Sequence, residues 1–86
     1  MPRLNAAAPQ DAARAYAAVA DVFRQQGDVA RALEIYELAV EQAPIDNRHV
    51  VAALSAMAEI HEEQGNGEMA LELLKRALAA RSGATA

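Results

Sequence analysis

The sequence predicts an all-α chain: four antiparallel helices arranged as two tandem helix-turn-helix units. Three observations predict it. Apolar residues make up 53% of the 86 and aromatics only 3%, and half of the apolar content is alanine, the best helix former. Glycine and proline punctuate the chain at helix-length intervals. Finally, QQGDVARALEIYELAV, beginning at Gln25, aligns without a gap on EQGNGEMALELLKRAL, beginning at Glu63. One hairpin is written twice.

The first helix starts at Pro9 to Asp11, because proline suits a first turn and aspartate favours its positive end. Ala12, Tyr16, Val19 and Phe23 recur on one predicted apolar face. Gly27 ends this helix as a left-handed cap, and Asp28 caps the next. The second helix runs to about Gln42, with Val29, Ala32, Leu33, Tyr36, Ala39 and Val40 inward and Arg31, Glu34, Glu37 and Glu41 outward. Pro44 follows its end, where continuation is disfavoured. Asp46 or Asn47 caps a third helix carrying Val51, Leu54, Met57, Ala58 and His61 on one face. Gly65-Asn66-Gly67 breaks it. A fourth helix then directs Ala70, Leu71, Leu74, Ala77 and Leu78 inward, with Glu72 placed to pair with Arg76.

The expected organisation is a tail over 1–8, a first unit over 9–46, a second over 47–81 and a tail over 82–86. The tails are rich in Ala, Ser and Gly, and fraying is expected there. Gly27 falls on Gly65, Ala32 on Ala70, Tyr36 on Leu74 and Ala39 on Ala77, a shift of 38 residues. That is about four more than the ~34 of a common helical repeat. The extra residues fall around Asn47 to Val50, at the front of the third helix.

These positions resemble the tetratricopeptide repeat family over about residues 13–81. In the first unit, Ala13 to Asp46, the signature sites of the family hold Tyr16, Val19, Ala20, Phe23, Gly27-Asp28, Ala32, Tyr36, Ala39 and Pro44. The second unit is more divergent. Leu54, Met57, Ala58, Gly65, Ala70, Leu74, Ala77 and Leu78 fit, while His61 takes a usually aromatic site, Gly67 a bulky one and Ser82 the proline. The resemblance implies a short right-handed α-solenoid. It also implies structural roles for Tyr16, Phe23, Gly27, Ala32, Tyr36, Pro44, Leu54, Gly65, Ala70 and Leu74. Ala32 and Ala70 stand where hairpin helices cross, and a larger residue would push the axes apart.

Composition excludes several functions. Net charge is -4 and Lys75 is the lone lysine, which argues against nucleic-acid binding through clustered cations. No segment approaches the ~20 apolar residues of a membrane span, so no membrane partner is expected. The chain has no cysteine, which suits a cytoplasmic setting and removes disulfides and thiolate metal sites. His61 opens the string HEEQG, but Gly65 stands where a zinc-protease motif needs its second histidine. His49 lies too far along the helix to be a second ligand. Glu62 and Glu63, like Glu34, Glu37 and Glu41, read as a solvated face rather than acid–base pairs. No catalytic residue, metal ligand or cofactor is expected.

The resemblance implies a protein-interaction scaffold, not an enzyme. A detached accessory or regulatory domain of a larger protein is the alternative. The family's concave surface would draw on Arg14, Ala17, Asp21 and Arg24, then Ala52, Ser55, Glu59 and Glu62. A chaperone-tail carboxylate clamp is missing, since its matching positions hold Ala17, Asp21 and Ala56. The face suits a helix or peptide carrying Arg or Lys. Self-association is also expected, as a homodimer or larger assembly, because helical repeats bury their apolar faces against neighbours. Met69, Leu71 and Leu73 of the fourth helix are the expected contact.

Overall fold

The computed structural model describes residues 9–42 and 48–81, and these form four α-helices: α1 (Pro9–Gln25), α2 (Val29–Glu41), α3 (Arg48–Glu63) and α4 (Gly67–Arg81). The expected roles of Pro44, Asp46 and Asn47, and the two tails, lie outside the described residues. The α1–α2 and α3–α4 hairpins are the tightest pairs, and α3 also packs on both α2 and α1. Arg48 to Val50 form the first turn of α3, so those residues of the lengthened repeat are helical.

The two hairpin turns correspond bond for bond. Gly27 and Gly65 both have positive φ, 87° and 81°. Asp28 N–H donates to Phe23 O at 2.9 Å and Gly27 N–H to Arg24 O at 3.0 Å. Asn66 N–H donates to His61 O at 2.8 Å and Gly65 N–H to Glu62 O at 3.0 Å. This pairing of bonds is a Schellman cap, which needs a left-handed residue and so selects glycine. The Asp28 side chain accepts from Arg31 N–H at 3.2 Å, which makes it the N-cap of α2.

The core is thin. Ala13 and Ala20 of α1 meet Ala32, Tyr36 and Ala39 of α2, all buried. The four alanines let the helices approach closely, and Tyr36 supplies the bulk between them. The exposed residues of α2 include Arg31, Glu34, Glu37 and Glu41, as the pattern predicts. Arg31 also lies over the Phe23 ring, 5.6 Å from its centroid.

Two faces differ from expectation. On α1 the buried line runs through Ala13 and Ala20, flanked by half-buried Tyr16 and Phe23, while Val19 is exposed. On α4 the buried line is Ala70, Leu73, Ala77 and Ala80. Leu71, Leu74 and Leu78 point outward instead. Leu74 is therefore not a core residue, and Leu73 is not available to an oligomer contact. The reason is neighbour number. Among the described helices α4 packs only on α3, and one neighbour covers one narrow stripe. The reverse holds for α3, which is packed on two sides. It buries Val50, Ala53 and Ile60 beyond the expected Leu54, Met57 and Ala58, with Val51 and His61 half-buried. Among the described residues Glu72 and Arg76 form no ion pair within 4.0 Å.

Candidate interaction surface

Arg14, Ala17, Asp21 and Arg24 follow each other at steps of three and four along α1, so they share one stripe. Ala52, Ser55, Glu59 and Glu62 repeat that spacing along α3. The two stripes meet at their C-terminal ends, where Arg24 reaches Glu59 at 3.2 Å and Glu63 at 3.5 Å. Glu59 and Glu63 are one helical turn apart, so one guanidinium can address both. Arg24 is three-quarters covered while the two carboxylates remain mostly in water.

Asp21 stands one turn before Arg24 and accepts a hydrogen bond from the Tyr36 hydroxyl of α2. Burial of the Tyr36 ring pushes its phenol up to about 12, helped by the hydrogen bond and the charge of Asp21, with Arg24 acting in the opposite direction. Arg24 is itself held above its ordinary value. Burial works against its charge, but the hydrogen bond with Glu59 and the charges of Glu59 and Glu63 outweigh it.

The sequence-derived residues thus divide into three groups. Asp21, Arg24 and Glu59 come together in one network that ties α1, α2 and α3. Arg14 sits apart and approaches Asp11, one turn earlier, at 4.0 Å. Ala52 and Glu62 are exposed, while Ala17 and Ser55 are half-buried. Two members of the network, Glu63 and the Tyr36 hydroxyl, were not nominated from sequence. Their signals were present, since Glu63 follows Glu59 by four residues and a buried tyrosine needs a partner for its hydroxyl.

A concavity of about 420 Å³ lies elsewhere, across α2, α3 and α4. Leu33, Met57 and Leu73 contribute apolar lining, with Glu34 and Glu37 of α2 and Arg76 of α4 among the polar groups around them. Among the described residues no group of three or more His, Cys, Asp or Glu is placed to hold a metal ion. No helix among them is long and apolar enough to cross a membrane.

The paired hairpins, the glycine-capped turns and the alanine crossings agree with one family model, the tetratricopeptide repeat, which matches residues 11–83. The chain belongs to the tetratricopeptide repeat family. No curated protein and no solved structure matches it. Tetratricopeptide repeats are as a rule non-catalytic scaffolds for protein–protein contact. In tetratricopeptide terms, α1 and α3 are the first helices of the two repeats and α2 and α4 the second. The Arg24 network then lies where first helices adjoin.

Proposed function

We propose that the chain is an interaction scaffold whose α1/α3 face receives a helix or extended peptide bearing Arg or Lys. The observation that carries this reading is the charge imbalance around Arg24. Its guanidinium is already matched by Glu59 and Glu63. Asp21 is held by a neutral hydroxyl, which does not cancel its charge. Glu62 is exposed and enters no ion pair among the described residues. The face therefore carries surplus negative charge beside small side chains, a shape that admits a backbone close by and a potential that steers cations to it.

Glu62→Lys tests the reading without breaking an internal contact. Binding is followed by fluorescence anisotropy with a Lys/Arg-bearing helical peptide and its Glu-substituted counterpart. The basic peptide should bind more tightly, and the substitution should weaken it by roughly threefold to tenfold, as expected for reversing one exposed charge. Equal affinity for the two peptides, or indifference to Glu62→Lys, would overturn the assignment.

A further inference from the structure

The internal repeat allows each helix to be compared with its counterpart, since adding 38 to a residue number passes from the first unit to the second. The comparison isolates two faces. On α3, Met57 and Ile60 are buried, yet their counterparts on α1, Val19 and Val22, are exposed. The contrast is sharpest for Ile60 at 0% and Val22 at 52%. The difference is that α3 packs on a preceding hairpin, the α1–α2 pair, and no described helix covers the matching side of α1. On α2, Tyr36 is 1% exposed, while its counterpart Leu74 on α4 is 48% exposed. Leu33 is half-buried, and its counterpart Leu71 is exposed. Here the difference is that α3 covers α2, and no described helix covers the matching side of α4.

The two bare faces are therefore the two halves of one interface. The α2–α3 seam inside the chain shows how they fit: Met57 of α3 and Leu33 of α2 line one concavity, and Ile60 and Tyr36 belong to one buried cluster. Val19 and Val22 form the first half again, and Leu71 and Leu74 the second. We infer that copies of this chain stack head to tail, α1 of one on the α3–α4 hairpin of the next, continuing the internal repeat across the copy boundary. Such a contact is heterologous, and it leaves one half of the interface open at each end, unlike a two-fold dimer that consumes the same face on both partners. The occupant is a second copy because the chain itself carries the complement of its own bare face. The inference goes beyond the scaffold reading and does not rest on it, since Val19 and Val22 lie on the opposite side of α1 from Ala17 and Arg24.

The experiment is sedimentation equilibrium of the 86-residue chain, Val22→Glu and Leu74→Glu, separately and as an equimolar mixture, with helicity checked by circular dichroism. Wild type should gain mass with concentration and pass beyond two chains. Each variant alone should lose at least tenfold in self-association, because each has one dead half. The mixture should recover a mass of two chains and stop there, through α4 of Val22→Glu and α1 of Leu74→Glu. A variant that loses helicity is replaced by Val19→Glu or Leu71→Glu on the same face. Three results would overturn the inference: wild type at one-chain mass at high micromolar concentration, Val22→Glu associating like wild type, or a mixture that stays at one chain. Val22→Glu should still bind the basic peptide, so failure of stacking and failure of the α1/α3 face are read separately.

Discussion

Tyr36→Phe removes one oxygen from the edge of the core and leaves the ring. Tyr36 is enclosed, its hydroxyl donating to Asp21 across the α1–α2 hairpin. Phenylalanine fills almost the same volume, so packing is retained and the hydrogen bond alone is lost. Bonds to charged groups contribute about 1.5–3 kcal/mol. Asp21 is exposed and recovers water when the hydroxyl goes, so the cost falls to about 1–1.5 kcal/mol. In a domain of this size each kcal/mol moves the thermal midpoint by roughly 4–8 °C. A second signature separates this bond from generic softening. The phenol is pushed from 10.0 up to about 12 in the folded chain, first by burial and then by Asp21. A folded value above the unfolded one means that the stabilisation is whole below pH 10 and is lost as pH rises through about 12. The loss over that window is about 2–3 kcal/mol at most. The phenylalanine variant has no phenol to ionise at this site, so the wild-type advantage should shrink across that window and then reverse. Urea midpoints by circular dichroism at neutral pH and at steps between about pH 10 and 12 measure both effects. Equal midpoints at neutral pH, or a difference that stays constant through the window, would refute the reasoning.

Other positions give equally direct tests. Gly27→Val should cost more than about 1 kcal/mol through positive φ alone, because no atom lies within 4 Å of the added Cβ. Gly67→Ala, without positive φ and equally open, should be neutral or stabilising in the same urea series. Ala32→Leu should destabilise by roughly 1–3 kcal/mol by overpacking the hairpin crossing. Glu34→Ala is the exposed comparison there, since Arg31 stacks on Phe23 and matching midpoints for the two would displace Ala32 from the crossing. A double-mutant cycle on Arg24 and Glu59 should give a coupling of about 0.2–1 kcal/mol, the range of a solvent-facing pair. Zero coupling would mean that the bridge does not tie α1 to α3.

The hairpins and their turns were legible because their signals are local. Gly27 and Gly65 mark left-handed caps, Asp28 supplies an oxygen one turn before Arg31, and alanine recurs at the crossings. All of these depend on residues within one turn or one hairpin. The faces of α1 and α4 were not legible in the same way. Val19 and Leu74 occupy positions whose counterparts, Met57 and Tyr36, are buried, and a repeat pattern predicts the same fate for both. Burial depends on which neighbour is present, and that information is not contained in the period. Leu73 shows the converse. It falls outside the repeat signature yet fills the side of α4 that α3 covers. The Arg24 network was half legible, since charge spacing along α3 is visible in sequence whereas the crossing partner on α1 depends on how first helices align.

The internal seam and the seam between copies differ in one respect that couples the two proposals. Inside the chain, Arg24 of α1 closes on Glu59 and Glu63 of α3. Thirty-eight residues on, Arg24 becomes Glu62, and the residues that would face it from the next copy are Asp21 and Gln25, the counterparts of Glu59 and Glu63. A carboxylate pair thus replaces a salt bridge. Apolar contact through Val19, Val22, Leu71 and Leu74 must hold the copies together against that repulsion, so stacking should strengthen as salt screens it, over a Debye length of about 8 Å near physiological ionic strength. Binding of a basic peptide to the α1/α3 face has the opposite sign and should weaken with salt. Glu62→Arg restores the cation at the Arg24 position. It should tighten self-association by a few fold, as sedimentation would show, while weakening the basic peptide, as anisotropy would show. One substitution moving the two readouts in the same direction would mean that Glu62 does not stand at both sites.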